Sequence, residues 1–283
     1  MTCQDLPQLE DDDRLVIDPL ARRGVDAVPV VWDDPSVDWS VFSLAVLRSP
    51  WDYSRRRDEF VAWAATVPAL ANPAATVAWN TDKRYLAELA AAGVPVVPTT
   101  WLSPGDPVEL PADGEWVIKP AVSAGSVDTG RYNLTDPSHR ALALSHVARL
   151  VEAGRVTMLQ PYLPAVDTYG ETALLYLGGR YSHAIRKGPM LDGPDLGVEG
   201  LYKEEAITPR TPTDAERAVA DAVLAAVPGG ADHLLYARVD LIPGPDGSPL
   251  LVELELTEPS LFLGYADGAA DRLATAITGT LGR

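Results

Sequence analysis

The segment 236–256 limits the fold more than any other part of the chain. Arg238 and Asp240 are interleaved with Ala237, Val239 and Leu241; Glu253 and Glu255 are interleaved with Val252, Leu254 and Leu256. Residues two apart on an extended chain share a face. Each stretch therefore reads as a strand with one polar and one apolar face. Between them, Asp246-Gly247 is the dipeptide favoured in a type I′ hairpin turn. A pivot there sets Asp240 opposite Glu253 and Arg238 opposite Glu255. Pro243, Gly244 and Pro245 leave room for a slip, and only an even slip keeps the same faces together. Directly opposed carboxylates repel, so Asp240 and Glu253 call for positive charge between them. Two sources fit. One is a hard cation such as Mg²⁺, which takes one or two carboxylates and completes its shell with water and phosphate. The other is Arg238 on a solvated acidic face.

The remainder reads as α/β. At 283 residues the chain has room for about two domains. Over the first hundred residues short strands at 25–31 and 44–47 alternate with helices at 53–68 and 82–92. Phe60, Trp63, Ala64 and Val67 share a face of the first helix. Asn80 or Thr81 caps the second and Gly93 ends it. A strand follows at 94–101. The opening strand is missing or clipped, because only Met1-Thr2-Cys3 precedes a polar loop. Next comes a small α+β unit: a strand at 115–119, a loop at 121–130, a helix at 138–153 and a strand at 156–160. The last part carries a hairpin, 173–177 with 181–186, around Gly178-Gly179, then a long surface loop at 188–211. Thr213 and Glu216 form a capping box for a helix running toward Val227. Strands at 234–242 and 250–256 and a closing helix at 261–281 complete the chain. The expected division is 1–95, 96–165 and 166–283.

Composition removes whole classes of function. Forty acidic residues against 23 basic ones give a net charge of -17, which opposes a grip on nucleic acid or an anionic membrane through a general positive field. Apart from the run Glu10-Asp11-Asp12-Asp13, the acids are dispersed and read mostly as solvated surface. The single cysteine, Cys3, excludes an intramolecular disulfide and any multi-cysteine zinc site. No apolar run reaches the roughly 18 residues of a membrane span, and no signal pattern opens the chain. A cytoplasmic protein is expected. None of the histidines has metal spacing, and His183 reads as a satisfied structural residue.

Two further segments suit a phosphorylated ligand. Trp116-Val-Ile-Lys119-Pro ends a strand with an ammonium, and the following loop contains Ser123, Gly125 and Ser126. Small residues let backbone N–H groups approach phosphate oxygens, although no Walker A sequence follows. Gln160, Pro161, Tyr162 and Leu163 lie in an extended segment that either lines an adenine pocket or simply ends a strand. Lys83 reads most simply as a helix-surface lysine.

In this order the segments resemble the ATP-grasp superfamily of carboxylate–amine ligases over residues 70–265. The resemblance implies an N-terminal Rossmann-like domain, a small central α+β subdomain and a C-terminal antiparallel-sheet subdomain. It implies that Lys83 and Lys119 contact ATP phosphates, that the loop 123–129 closes over them, and that residues 160–163 hold the adenine with Asp167 near the ribose. It makes Asp240 and Glu253 magnesium ligands and places Arg238 near the transferred phosphate. Glu255 stands where the usual Glu-x-Asn pattern has asparagine, and is kept as a ligand.

More narrowly, Arg48-Ser-Pro-Trp-Asp-Tyr53, Trp79-Asn-Thr-Asp-Lys83, His183-Ala-Ile-Arg-Lys187 and Glu253-Leu-Glu-Leu-Thr-Glu-Pro-Ser260 resemble the branch that holds the O-ureido-serine cyclo-ligase of cycloserine biosynthesis. The implied chemistry is activation of a carboxylate by ATP as an acyl phosphate, then attack by a nitrogen nucleophile. Lys119, Arg238 and Arg186 are the expected catalytic cations. Arg48, Arg186 and Lys187 are candidates to clamp the substrate carboxylate, because arginine offers a bidentate fork. Trp51, Asp52 and Tyr53 follow a strand's C-terminal end, where open α/β sheets bind ligands. The expected partner is a small amino-acid-like molecule, with no nucleic acid and no membrane, and the assembly a monomer or homodimer. An inactive ATP-binding module and a metal-dependent hydrolase are the competing readings.

Overall fold

A computed structural model describes residues 1–191, 193–195 and 206–282. In the first part of the chain, α1 (Asp11–Arg14) and α2 (Ile17–Ala21) precede β1 (Ala45–Val46), α3 (Arg57–Ala64), β2 (Leu70–Ala71), α4 (Ala74–Asn80) and α5 (Tyr85–Ala91). β1 and β2 pair in parallel. The strand expected at 25–31 shrinks to a bridge between Val31 and Thr2. Pro29, which has no N–H to give a ladder, interrupts it. Thr2 also makes an isolated parallel bridge to Ser49, and among the described residues no strand precedes β1. α3 buries Phe60 and Ala64, as its apolar face requires.

The helix expected at 82–92 begins only at Tyr85, and neither Asn80 nor Thr81 caps it. The Asn80 amide instead donates to Leu254 O at 2.7 Å and accepts from Leu256 N at 2.7 Å. The Tyr85 hydroxyl makes the same double contact with Leu254, at 2.8 and 2.9 Å. These contacts seat α4 and α5 on the acidic strand. Asn80→Ala, which leaves a buried N–H and carbonyl unmatched, is expected to lower stability by about 1–3 kcal/mol, read as a shift of the urea midpoint at unchanged slope.

The middle part contains β3 (Thr100–Leu102), β4 (Glu115–Pro120), β5 (Gly130–Asn133), α6 (Pro137–Glu152) and β6 (Thr157–Pro161). The strands form an antiparallel sheet in the order β3-β6-β4-β5. Asp136 caps α6, which packs Ala143, Val147 and Leu150 on the sheet. β5 was hidden behind a loop of small residues. Gly130 is required at its start, since a Cβ there would lie 2.7 Å from the Tyr132 hydroxyl.

The last part comprises α7 (Ala165–Tyr169), β7 (Glu171–Leu177), β8 (Arg180–Lys187), β9 (Ile207–Arg210), α8 (Asp214–Ala225), β10 (Tyr236–Pro243), β11 (Pro249–Glu255) and α9 (Ala269–Leu281). Its antiparallel sheet runs β11-β10-β7-β8-β9. One face packs Leu174, Val239 and Leu254 against Val223 and Leu224 of α8; the other packs Leu175 and Tyr236 against Leu273 and Ile277 of α9. The surface loop expected at 188–211 therefore ends in a strand, while residues 192 and 196–205 of it lie outside the described residues. The closing helix starts at Ala269 rather than 261, because Phe262 and Gly268 are left-handed, at φ 50° and 71°.

The hairpin delivers the expected pairing by another route. Pro243 pairs with Pro249, so the turn is longer than two residues, and Gly247 is its left-handed position at φ 82°. That turn alone would misalign the acidic pairs by one residue. A bulge between Asp240 and Leu241 restores them: Asp240 faces Glu253 and Arg238 faces Glu255. Among the described residues, no helix is long and apolar enough to cross a membrane.

Candidate active site

A cavity of about 360 Å³ opens between the two larger sheets. Its apolar part is lined by Val97, Val117, Tyr162, Leu163, Ile242 and Val252. Gln160 lines it too, its amide donating to Thr99 Oγ1 at 2.9 Å. Further in, the wall becomes charged.

Lys83 is no surface lysine. It is buried, and its Nζ donates to Ser123 O at 2.7 Å and pairs with Glu253 Oε1 at 3.1 Å. It thereby ties the loop after β4 to β11. Lys119 is buried beside it; burial holds its ammonium below the ordinary range, Glu253 opposes that shift and Lys83 adds to it. Lys187 bridges Asp240 Oδ2 at 2.7 Å and Glu171 Oε2 at 3.0 Å. The loop supplies Ser123, Gly125, Ser126 and Thr129 to the lining. Gly125 and Ser126 are left-handed, at φ 59° and 57°, a local backbone shape that turns N–H groups toward an anion. Asp128 anchors the loop's far side to Arg149 at 2.8 Å and to Arg155.

The carboxylates differ in their surroundings. Burial would raise Asp240, but Arg238 and Lys187 outweigh it and hold the carboxyl below its usual range. Burial likewise opposes Lys83 and Lys119 at Glu253, and the lysines prevail. Glu255 is pushed up to about 8 by burial and by Glu253 and Asp240, against the pull of Arg238. Glu258 is pushed up to about 7, mainly by burial, against the Tyr53 hydroxyl and Lys83.

These groups also bear on a metal. Among the described residues, no three carboxylate, histidine or cysteine side chains are gathered tightly enough to hold an ion on their own. Asp240 is enclosed by Arg238 Nε at 2.9 Å and by Lys187. Glu253 and Glu255, however, share a face of β11 and line the cavity. Two carboxylates completed by phosphate and water are what Mg²⁺ commonly takes. The donor set fits a divalent hard cation bound together with phosphate.

The cavity thus gathers Lys83, Lys119, Ser123, Gly125, Ser126, Gln160, Pro161, Tyr162, Leu163, Trp51, Lys187, Arg238, Glu253 and Glu255. Other expected residues point elsewhere. Arg186 alternates to the opposite face from Lys187 and donates to Tyr169 O at 2.7 Å and Thr168 O at 3.1 Å. Arg48 is buried against Asp13, Nε to Oδ1 at 2.9 Å, and over the Tyr236 ring. Asp52 accepts from Trp32 and Arg56. Tyr53 is buried behind Glu258. Asp167 accepts from Tyr162 OH and faces Arg131 at 3.5 Å, outside the lining. His183 has both ring nitrogens engaged, by Ser182 and Leu261.

Glu171 and Glu258 line the cavity without having been expected there. The run 10–13 is not mere solvated surface, since Asp13 is buried and Asp12 accepts from Leu263 N and Gly264 N at 2.7 and 2.8 Å.

Residues 1–75 match the family described as D-cycloserine synthetase DcsG, N-terminal domain. The cycloserine biosynthesis protein DcsG of Streptomyces lavendulae is 43% identical over 273 residues, covering 90% of this chain and 88% of that protein. The crystal structure of D-cycloserine synthetase DcsG superposes with a TM-score of 0.86 at 37% identity, over 99% of this chain and 98% of that one. A D-alanine–D-alanine ligase from Bacillus anthracis shares the fold, with a TM-score of 0.65 at 17% identity over 98% and 96% of the two chains. With that likeness over 90% of its length to the Streptomyces protein, the chain belongs to the DcsG family of ATP-grasp ligases, enzymes that form carbon–nitrogen bonds with ATP.

Proposed function

We propose that this enzyme activates the carboxylate of O-ureido-serine with ATP and closes the molecule through its oxygen-bound nitrogen. The observation that carries this reading is one cavity in which an apolar wall, three buried lysines and the Glu253–Glu255 face adjoin. Likeness to the cycloserine protein over most of both chains supports the choice of substrate.

The apolar wall suits a purine ring. Lys83, Lys119 and the N–H groups of the loop suit the phosphates. A divalent cation, Mg²⁺ in this proposal, would be held by Glu253 and Glu255, with Asp240 behind them, and would supply charge neutralisation on the phosphates. A substrate carboxylate oxygen attacks the γ-phosphorus, and the bond to the β-phosphate oxygen breaks to release ADP. The nitrogen then attacks the acyl carbon, phosphate leaves, and the nitrogen gives up its proton. Negative charge on the transferred group is met by Lys119 and Arg238, fixed before the reaction starts. The loop anchored by Lys83 and Asp128 screens the acyl phosphate from water. Glu255 lines the cavity beside Glu253, so it adds a carboxylate where the usual pattern has an amide. That arrangement gives no support to an inactive module, and a hydrolase would leave the lysines without a role.

Incubation with Mg-ATP and O-ureido-serine is expected to give substrate-dependent ADP and a cyclised product by mass spectrometry. ADP release with other amino-acid carboxylates but not with O-ureido-serine would overturn the substrate and leave the ligase chemistry standing.

A further inference from the structure

Glu258 lines the cavity at 8% exposure, yet no step above uses it. Glu253, Glu255 and Glu171 each lie within ion-pair reach of a cation, respectively Lys83, Arg238 and Lys187. The Glu258 side chain meets instead the neutral hydroxyl of Tyr53. Its backbone is held firmly. Trp51 Nε1 donates to Glu258 O at 3.1 Å, Arg48 Nη2 to Pro259 O at 2.5 Å and Arg238 Nη1 to Ser260 O at 3.2 Å. Three consecutive carbonyls are clamped by side chains from distant parts of the chain, which fixes the carboxylate at the cavity wall.

Lys83 and Arg238 draw on the Glu258 carboxylate from nearby, but they are paired with Glu253 and with Asp240 and Glu255, and among the described residues Glu258 has no ion pair of its own. An enclosed carboxylate so placed lowers stability unless a cation reaches it. Phosphates and carboxylates are anions and cannot serve. The divalent cation has Glu253 and Glu255. The remaining ligand group of the right sign is an ammonium on the substrate, and Trp51 beside Glu258 adds an aromatic wall of the kind cations favour. Glu10 also lines the cavity but is only half-buried, and Asp12 is committed to backbone N–H groups. We infer that Glu258 receives the substrate's ammonium and restricts the enzyme to α-amino carboxylates. This specificity-determining role rests on reading the chain as a carboxylate-activating ligase.

The test compares wild type with Glu258→Gln, which keeps the side chain's shape, on O-ureido-serine and its des-amino analogue at saturating Mg-ATP. Wild type is expected to prefer the amino compound strongly. Glu258→Gln is expected to raise KM for it by about 10–100-fold, as for loss of a charged hydrogen bond, with KM for ATP and for the des-amino analogue unchanged. Its ligand-free Tm is expected to equal or exceed that of wild type, since an enclosed charge is removed. An unchanged preference between the two compounds overturns the inference, as does a fall in kcat at constant KM. A lower ligand-free Tm, or failure to fold, makes Glu258 structural and overturns it too. If another carboxylate replaces O-ureido-serine as substrate, the same comparison within that amino and des-amino pair decides, so the inference outlives that error. Wild-type preference for a des-amino carboxylate overturns the inference alone, and turnover of no carboxylate overturns both readings.

Discussion

Lys119→Met is expected to reduce ADP formation by about 10²–10³-fold while leaving the protein at least as stable as wild type. The two effects have one origin. Lys119 is a buried ammonium with Lys83 and Lys187 as like-charged neighbours, and Glu253 is the first of the groups that oppose its desolvation. Such a charge is held in place by the fold and stabilised by what the cavity later receives. Removing it relieves the repulsion with Lys83 and Lys187 and deprives the transferring phosphoryl group of a preorganised cation. Lys83→Met is expected to behave differently, because the Lys83 ammonium also joins Ser123 O to Glu253; its loss should loosen the loop and lower Tm as well as activity. The measurement is ADP release under saturating substrate, paired with thermal melting of the ligand-free protein. A Lys119→Met rate within tenfold of wild type would remove this lysine from the chemistry.

How much of this was legible in the sequence depended on the range of the contacts involved. Strand alternation was enough to place Arg238 and Asp240 on one face and to pair them with Glu255 and Glu253. The longer turn and the bulge after Asp240 each shift the register by one residue, in opposite senses, so the pairing that a two-residue turn implies is kept. Alternation also carried a warning about Arg186 and Lys187, because adjacent residues on a strand cannot both face one cavity, and only Lys187 does. Lys83 was out of reach by local reading. Its burial comes from the loop forty residues later, which folds back so that Lys83 N bonds to Ala121 O at 2.8 Å. Asn80 had the composition of a cap but found a stronger use on the buried outer edge of β11, 174 residues away. Glu258 stood within the Glu-Pro-Ser segment that carried the family resemblance, yet only the clamped carbonyls and the enclosed carboxylate set it apart from the other acids. The net charge of -17 said nothing about any of them.

Asp13→Ala should produce the largest loss of stability among single substitutions outside the apolar core, about 3–5 kcal/mol. Asp13 and Arg48 are joined at 2.9 Å with side chains 2% and 5% exposed. Truncating the acid leaves the guanidinium enclosed against the carbonyls of Leu47 and Pro259 and the Tyr236 ring, with Asp12 as a more distant counter-charge. A pair replaced on both sides by apolar residues, Asp13→Leu with Arg48→Met, escapes that penalty and should recover most of the stability. It would not recover the whole of the function, because Arg48 Nη2 holds the Pro259 carbonyl next to Glu258. The double variant is therefore expected to show near-normal urea unfolding, an unchanged KM for ATP and a raised KM for the amino-acid substrate. That combination separates two roles for Arg48 that were open in the sequence. A direct carboxylate clamp would make Asp13→Ala nearly neutral in stability and confine its effect to substrate binding. The buried pair makes Asp13→Ala a folding defect first, with loosening at residues 258–260 as the route by which it reaches the active site.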